Sequence, residues 1–233
     1  MQSGIDQLKS ILDLGGPVVA VLFLVSVLAV AVIALKLLQF VRAGVGRRKT
    51  AEAAVMAWVH GNRPEARALV APARGALASC VALTFSLSSN GRASKSEIEE
   101  QVASLAMHKL HELRGGMAFL DTVVQLSPLL GLFGTVLGMI EAFRKLQGAG
   151  AVVDPSILAG GIWVALLTTA VGLAIAMPVS VVLTWFETRI EDERVAIETT
   201  ITQVLSAGRP AQPDDAGAAR AGGTSLMELR HAH

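Results

Sequence analysis

Residues 127–143 read SPLLGLFGTVLGMIEAF. The stretch is apolar enough to lie in lipid. It nevertheless carries Gly131, Gly134 and Gly138, and one hydroxyl, Thr135, in its middle. Each glycine costs a helix interior up to about 1 kcal/mol, so the repetition needs a compensating gain. At 100° per residue, Ser127, Gly131, Gly134 and Gly138 fall on one stripe. Small residues in that pattern let two backbones approach closely, which is how helices associate in lipid. The stretch therefore reads as the packing face of a membrane helix. An adjacent stripe holds Asp121, Pro128, Leu132, Thr135 and Met139, with Thr135 on the edge between the two. A lone threonine there has a plain reading: it bonds its own backbone four residues earlier.

Composition supports the membrane reading. Of 233 residues, 52% are hydrophobic and only 17% charged, too apolar for an ordinary soluble domain. Aromatics are 4%, so the apolar mass is Ala, Val, Leu and Gly, which suits closely packed helices better than a β-rich core. The net charge of +1 gives no argument for nucleic acid, and the single Cys80 excludes an internal disulfide framework.

Working outward, three spans are expected: 17–40, 117–140 and 157–186. The first contains an apolar run, Val18–Leu35, interrupted by Ser26 and continuing past Lys36. It is long enough to cross roughly 30 Å of hydrocarbon. A signal peptide is the competing reading, but Asp6, Lys9 and Asp13 precede the run instead of a basic start. Basic residues mark the inner side. Arg42, Arg47, Arg48 and Lys49 follow the first span, whereas Lys9 alone precedes it. Residues 1–16 are thus an outer segment, 41–116 an inner helical domain, 141–156 an outer loop and 187–206 an inner helix. Arg144 and Lys145 in the outer loop run against this assignment, two charges against four. Residues 207–233, rich in Gly, Ala, Pro and Asp, read as a disordered tail. The fold class is an all-α membrane protein with long cytoplasmic helical extensions, its N-terminus outside and its C-terminus inside.

Within 41–116, Thr50 is the expected cap of a helix ending at Gly61, and Pro64 opens a short one. Another helix around Ala76–Leu87 stops at Ser88-Ser89-Asn90-Gly91. Ser94 and Glu97 form a capping box. The next breaker is Gly115-Gly116, where the second span begins, so that span is expected to run inward as one long stalk.

The third span repeats the design of the second. Gly161, Ala165, Thr168, Gly172 and Ala176 form a small stripe with Thr169 beside it, and Pro178 can kink the helix. Trp163 and Trp185 bracket the span, roughly 33 Å apart along a helix, about one bilayer core. Measured from the span midpoints, Thr135 and Thr169 lie at similar depth, roughly 6 and 7 Å to the outer side. No acid lies at mid-depth. A proton relay through lipid normally needs a titratable group there, so a partner would have to bring it.

The segments 126–143 and GGIWVALLTTAVGLAIAMP (160–178) resemble the signature helices of the ExbB/TolQ/MotA family, ExbB first and TolQ second. The resemblance extends to the order of three spans, the large inner loop and the short outer one. It implies a multi-pass subunit of the bacterial inner membrane, with the N-terminus periplasmic. It implies a homo-oligomer, a pentamer, whose second and third helices line a pore. A single-span partner of ExbD, TolR or MotB type would bring a membrane Asp to that pore. The family's pore threonines fall on Thr135 and Thr169. A TonB-type periplasm-spanning protein would receive the work. One position departs: where many ExbB members have Glu in G-I-x-E-A-L, this chain has Val164. A non-conducting membrane scaffold is the contrasting reading.

Other constellations carry less. His108 and His111, with Glu112, have a spacing seen in metal sites but read as a solvated stalk face. No P-loop ending and no nucleophilic triad is legible, so neither enzyme activity, cofactor nor metal is expected. Arg47-Arg48-Lys49 reads as an inner-face anchor that can meet anionic lipid.

Overall fold

The structure, a computed structural model, describes residues 2–46, 48–72, 75–90, 93–148 and 155–207. Among them the chain forms seven helices: α1 (Gln2–Ala43), α2 (Arg48–Val59), α3 (Arg63–Val70), α4 (Ala76–Asn90), α5 (Lys95–Arg114), α6 (Met117–Gly148) and α7 (Pro155–Ala207). Three are long and apolar enough to cross a membrane. The expected disordered tail lies outside the described residues, apart from Ala207, which ends α7.

The chain divides into two compact units: residues 1–46 with 108–193, and residues 47–107 with 194–233. In the first, α1, α6 and α7 share an apolar core. Ala29 and Phe40 meet Leu113, Met117, Leu120, Val123, Val179, Leu183, Phe186 and Ile190. Phe40 lies 4.9 Å from Phe186 and 6.4 Å from Trp185, and the Arg189 guanidinium sits 5.5 Å from the Trp185 ring centre. Such an aromatic–cation group suits a membrane interface, one end apolar and the other wet.

In the second unit Trp58 stacks on Phe85 at 4.3 Å, with Arg63 on the Trp58 ring at 5.3 Å. Val55, Val81, Val102, Ile197 and Val204 are buried there. Local chemistry sets the helix ends. Gly61, at φ 82°, stops α2 by sending its N–H to Trp58 O and that of Asn62 to Ala57 O. Asn62 then caps α3, accepting from Glu65 N at 3.4 Å. Ser94 and Glu97 close a reciprocal capping box, with N–H to side chain at 2.7 and 3.2 Å.

Three expectations change. Thr50 is not a cap, because α2 already begins at Arg48. The 1–16 segment, for which no secondary structure was expected, is helical over 2–15, and Gly16, at φ 64° and ψ −165°, separates it from the helix that continues from Pro17. A residue before proline is pushed out of the helical region. Residues 141–148, expected in the outer loop, continue α6; the Glu141–Lys145 pair one turn apart, at 3.7 Å, supports that extension. The inward stalk is not one helix: α5 ends at Arg114 and α6 starts afresh after Gly116, whose φ is 79°. α7, by contrast, runs 53 residues without interruption, with Pro178 inside it.

Candidate functional site

Two antiparallel helices, α6 and α7, meet along their small residues. A Cβ added at Gly172 would lie 2.5 Å from the Ser127 carbonyl oxygen. One at Gly131 would lie 3.0 Å from Thr168 O and from Thr169 Cα, and one at Gly134 would lie 2.7 Å from the Thr168 side chain. One at Gly138 would lie 3.1 Å from Ala165 Cβ, and one at Gly161 would collide with Ala142 Cβ. Backbones this close leave no room for any side chain larger than hydrogen on the glycine side. Ala142, which closes the end of the seam against Gly161, lies four residues beyond Gly138 on the same face; the expected loop 141–156 concealed it.

A cross-helix hydrogen bond lies in the seam. Thr168 is buried, and its Oγ1 lies 3.1 Å from Gly131 O and 2.7 Å from Ala165 O. With a single proton, the hydroxyl shares itself between the partner helix and its own preceding turn. Ser127 is fully buried one step further in, and its Oγ has no partner among the described residues.

Thr135 and Thr169 sit half-buried on the edges of the seam. Thr135 donates to Leu132 O at 2.6 Å, three residues earlier, so its hydroxyl is engaged with its own helix. The register places Thr169 beside Gly131, whereas Thr135 lies four residues further along α6. The seam contacts as a set (131 with 168–172, 134 with 168, 138 with 165, 142 with 161) put the two within about one to four residues of a common level, roughly 2–6 Å. Beside Thr135 an open recess of ≈ 600 Å³ runs along α6 past Met139 and Phe143 to Arg144 and Gln147.

Carboxylates stay at the margins. Asp121 accepts from Gln125 Nε2 at 2.8 Å, and Glu141 pairs with Lys145. Val164, half-buried, occupies the position where the resemblance led one to look for Glu. Glu193 is buried beyond the Trp185 end of the third span and accepts from Gly46 N at 3.4 Å, bracing the turn after α1. His108 lies 3.3 Å from Glu112, but no group of three potential metal ligands exists among the described residues. The hydrogen bond and charge of Lys109, with His108 adding to them, hold the Glu112 carboxyl below the usual carboxylate range.

The molecule is thus a multi-span helical membrane protein built on a two-helix small-residue seam with hydroxyls at its edges. Residues 72–199 match the MotA/TolQ/ExbB proton channel family, and the chain belongs to that family. It is 36% identical over 108 residues to a biopolymer transport protein ExbB homolog of Methanothermobacter thermautotrophicus, covering 46% of this chain and 38% of that one. It is 40% identical over 84 residues to biopolymer transport protein exbB1 of Vibrio cholerae, covering 36% and 37%. It is 43% identical over 76 residues to the Tol-Pal system protein TolQ of Haemophilus influenzae, covering 32% and 33%. The chain spans under two fifths of the length of each of these curated relatives.

Proposed function

We propose that this chain is the ring-forming subunit of an inner-membrane motor of ExbB type. Copies would assemble, five to a ring, around a dimer of a single-span partner of ExbD or TolR class. The partner's membrane Asp would carry protons past Thr135 and Thr169, and the work would energise TonB-dependent transport across the outer membrane. The observation that carries this reading is the seam itself. α6 and α7 lock together by backbone contact, present two threonine hydroxyls at its edges, and hold no acid between them. A proton path through such a pair needs a carboxylate from elsewhere. Val164 removes the nearest alternative from the chain itself.

The test is replacement of both threonines by valine, which keeps shape and removes the hydroxyls. In a strain lacking its own subunit, with equal protein in the membrane, the double variant is expected to lose energised uptake. Full uptake refutes the proposed path. A TolQ-like role in envelope integrity is the second reading, favoured by the Haemophilus influenzae relative. Rescue of detergent resistance in a strain lacking TolQ, without rescue of uptake, would select it. A gene nearby for a single-span protein with a membrane Asp supports either motor over a non-conducting scaffold.

A further inference from the structure

Lys36 is the one charged side chain in the first span, and it is only 6% exposed. Its Nζ donates to Gln39 Oε1 at 2.7 Å and to Leu113 O at 2.9 Å. Gln39 Nε2 in turn donates to Glu112 O at 3.1 Å. Two side chains of α1 therefore serve two of the last carbonyls of α5. Those carbonyls lack partners inside their own helix and form its negative end, so an ammonium suits them.

The other glycine-stopped helices show what is unusual here. At Gly44 and Gly61 the carbonyls three and four residues earlier accept from the chain's own amides. Val41 and Phe40 do so at 3.2 and 3.3 Å, and Trp58 and Ala57 at 3.0 and 2.9 Å. Gly116 has the same left-handed backbone, and the carbonyls three and four residues before it are Leu113 and Glu112. At this stop both accept from another helix.

The same two carbonyls have a second use. If α5 ran straight into α6, Glu112 O would accept from Gly116 N–H and Leu113 O from Met117 N–H. The side chains of α1 thus compete with helix continuity for its acceptors. The joint itself is Gly115-Gly116, which can enter a helix at a modest penalty or leave it without strain. That penalty and the gain from a charge-assisted hydrogen bond are of the same order.

We propose that Lys36 and Gln39 are positioning residues that hold the α5–α6 joint open, and that without them Gly115 and Gly116 close it into one continuous helix. α6 carries the seam, so the joint decides where that membrane helix begins. The proposal does not depend on the proton path.

Amide hydrogen exchange on the full chain in lipid nanodiscs tests it. Lys36→Met keeps the length of the side chain and places no charge in the buried site. A residue that merely stabilised the joint would leave residues 111–120 exchanging faster when removed. The proposal expects the reverse: the Gly116 and Met117 amides slow by about tenfold or more, because they gain helical partners. Gly116→Ala is the second variant. It leaves Lys36 in place but penalises the left-handed backbone, and its Cβ would lie 3.4 Å from Lys36 Cε; the same two amides are expected to slow. Unchanged or faster exchange there in either folded variant overturns the proposal. So does failure of Lys36→Met to fold, since a joint with a second state has a structure to adopt.

Discussion

Gly172→Ala puts the seam under the most direct strain. The new Cβ would stand 2.5 Å from the Ser127 carbonyl oxygen and 3.3 Å from Gly131 Cα. The oxygen is backbone, so no rotamer relieves the overlap, and the helices must separate by about 0.9 Å to restore ordinary contact. The Thr168 Oγ1 to Gly131 O bond is already 3.1 Å long and sits one turn away. A shift of that size takes it past hydrogen-bonding range, a loss of about 1 kcal/mol. Overpacking costs about 1–3 kcal/mol. Alanine returns up to about 1 kcal/mol of helix propensity. The net expectation is destabilisation by about 1–3 kcal/mol. Gly160→Ala supplies the internal control, because nothing lies within 4 Å of its new Cβ on the same helix. It is expected to be neutral or stabilising by up to about 1 kcal/mol. Thermal melting in matched detergent, followed by tryptophan fluorescence, compares the two. A Gly172→Ala protein melting at or above the parent refutes the seam as described.

Two further outcomes follow from single groups. Ser127→Ala removes a buried hydroxyl that has no partner among the described residues, so stability is expected to hold or rise by up to about 1 kcal/mol; a drop in the melting midpoint would show that the hydroxyl is satisfied. Lys109→Ala removes the main cause of the low Glu112 pKa, and the carboxyl is expected to titrate closer to the ordinary range by NMR. Because the folded pKa is depressed, the Lys109–Glu112 contribution is present above the unfolded carboxylate pKa and fades as pH falls through the folded value; an unchanged titration in the variant contradicts the assignment.

The spans and the glycine stripe were legible because both depend on local composition. An eighteen-residue run broken only by Ser26, and a repeat of small residues, need no knowledge of the partner helix. The Ser94–Glu97 box was legible for the same reason, since both members lie within one turn. What escaped were relations across distance in the chain. The slide of α7 against α6 depends on which glycine meets which carbonyl, so the pairing of Gly172 with Ser127 and of Gly131 with Thr168 could not be read from either helix alone. Lys36 read only as an interruption of an apolar run. Its acceptor lies 77 residues away, and nothing near either residue announces the other.

The two ends of α6 are held by opposite physics, and that difference bears on which end can move. Along the seam the contact is backbone against backbone, with no side chain to rearrange, so α6 and α7 shift together or not at all. At the N-terminal end of α6 the hold is a pair of long side chains on two carbonyls, beside glycines that tolerate either conformation. Long side chains exchange partners without moving a backbone, whereas a glycine seam opens only by separating two helices. On the proposed motor function, motion of the chain is expected to concentrate at residues 112–117, with the α6–α7 pair moving as one piece. Exchange measurements with and without an imposed proton gradient read that directly: rate changes confined to the joint fit this division, and changes along 127–138 and 161–172 contradict it.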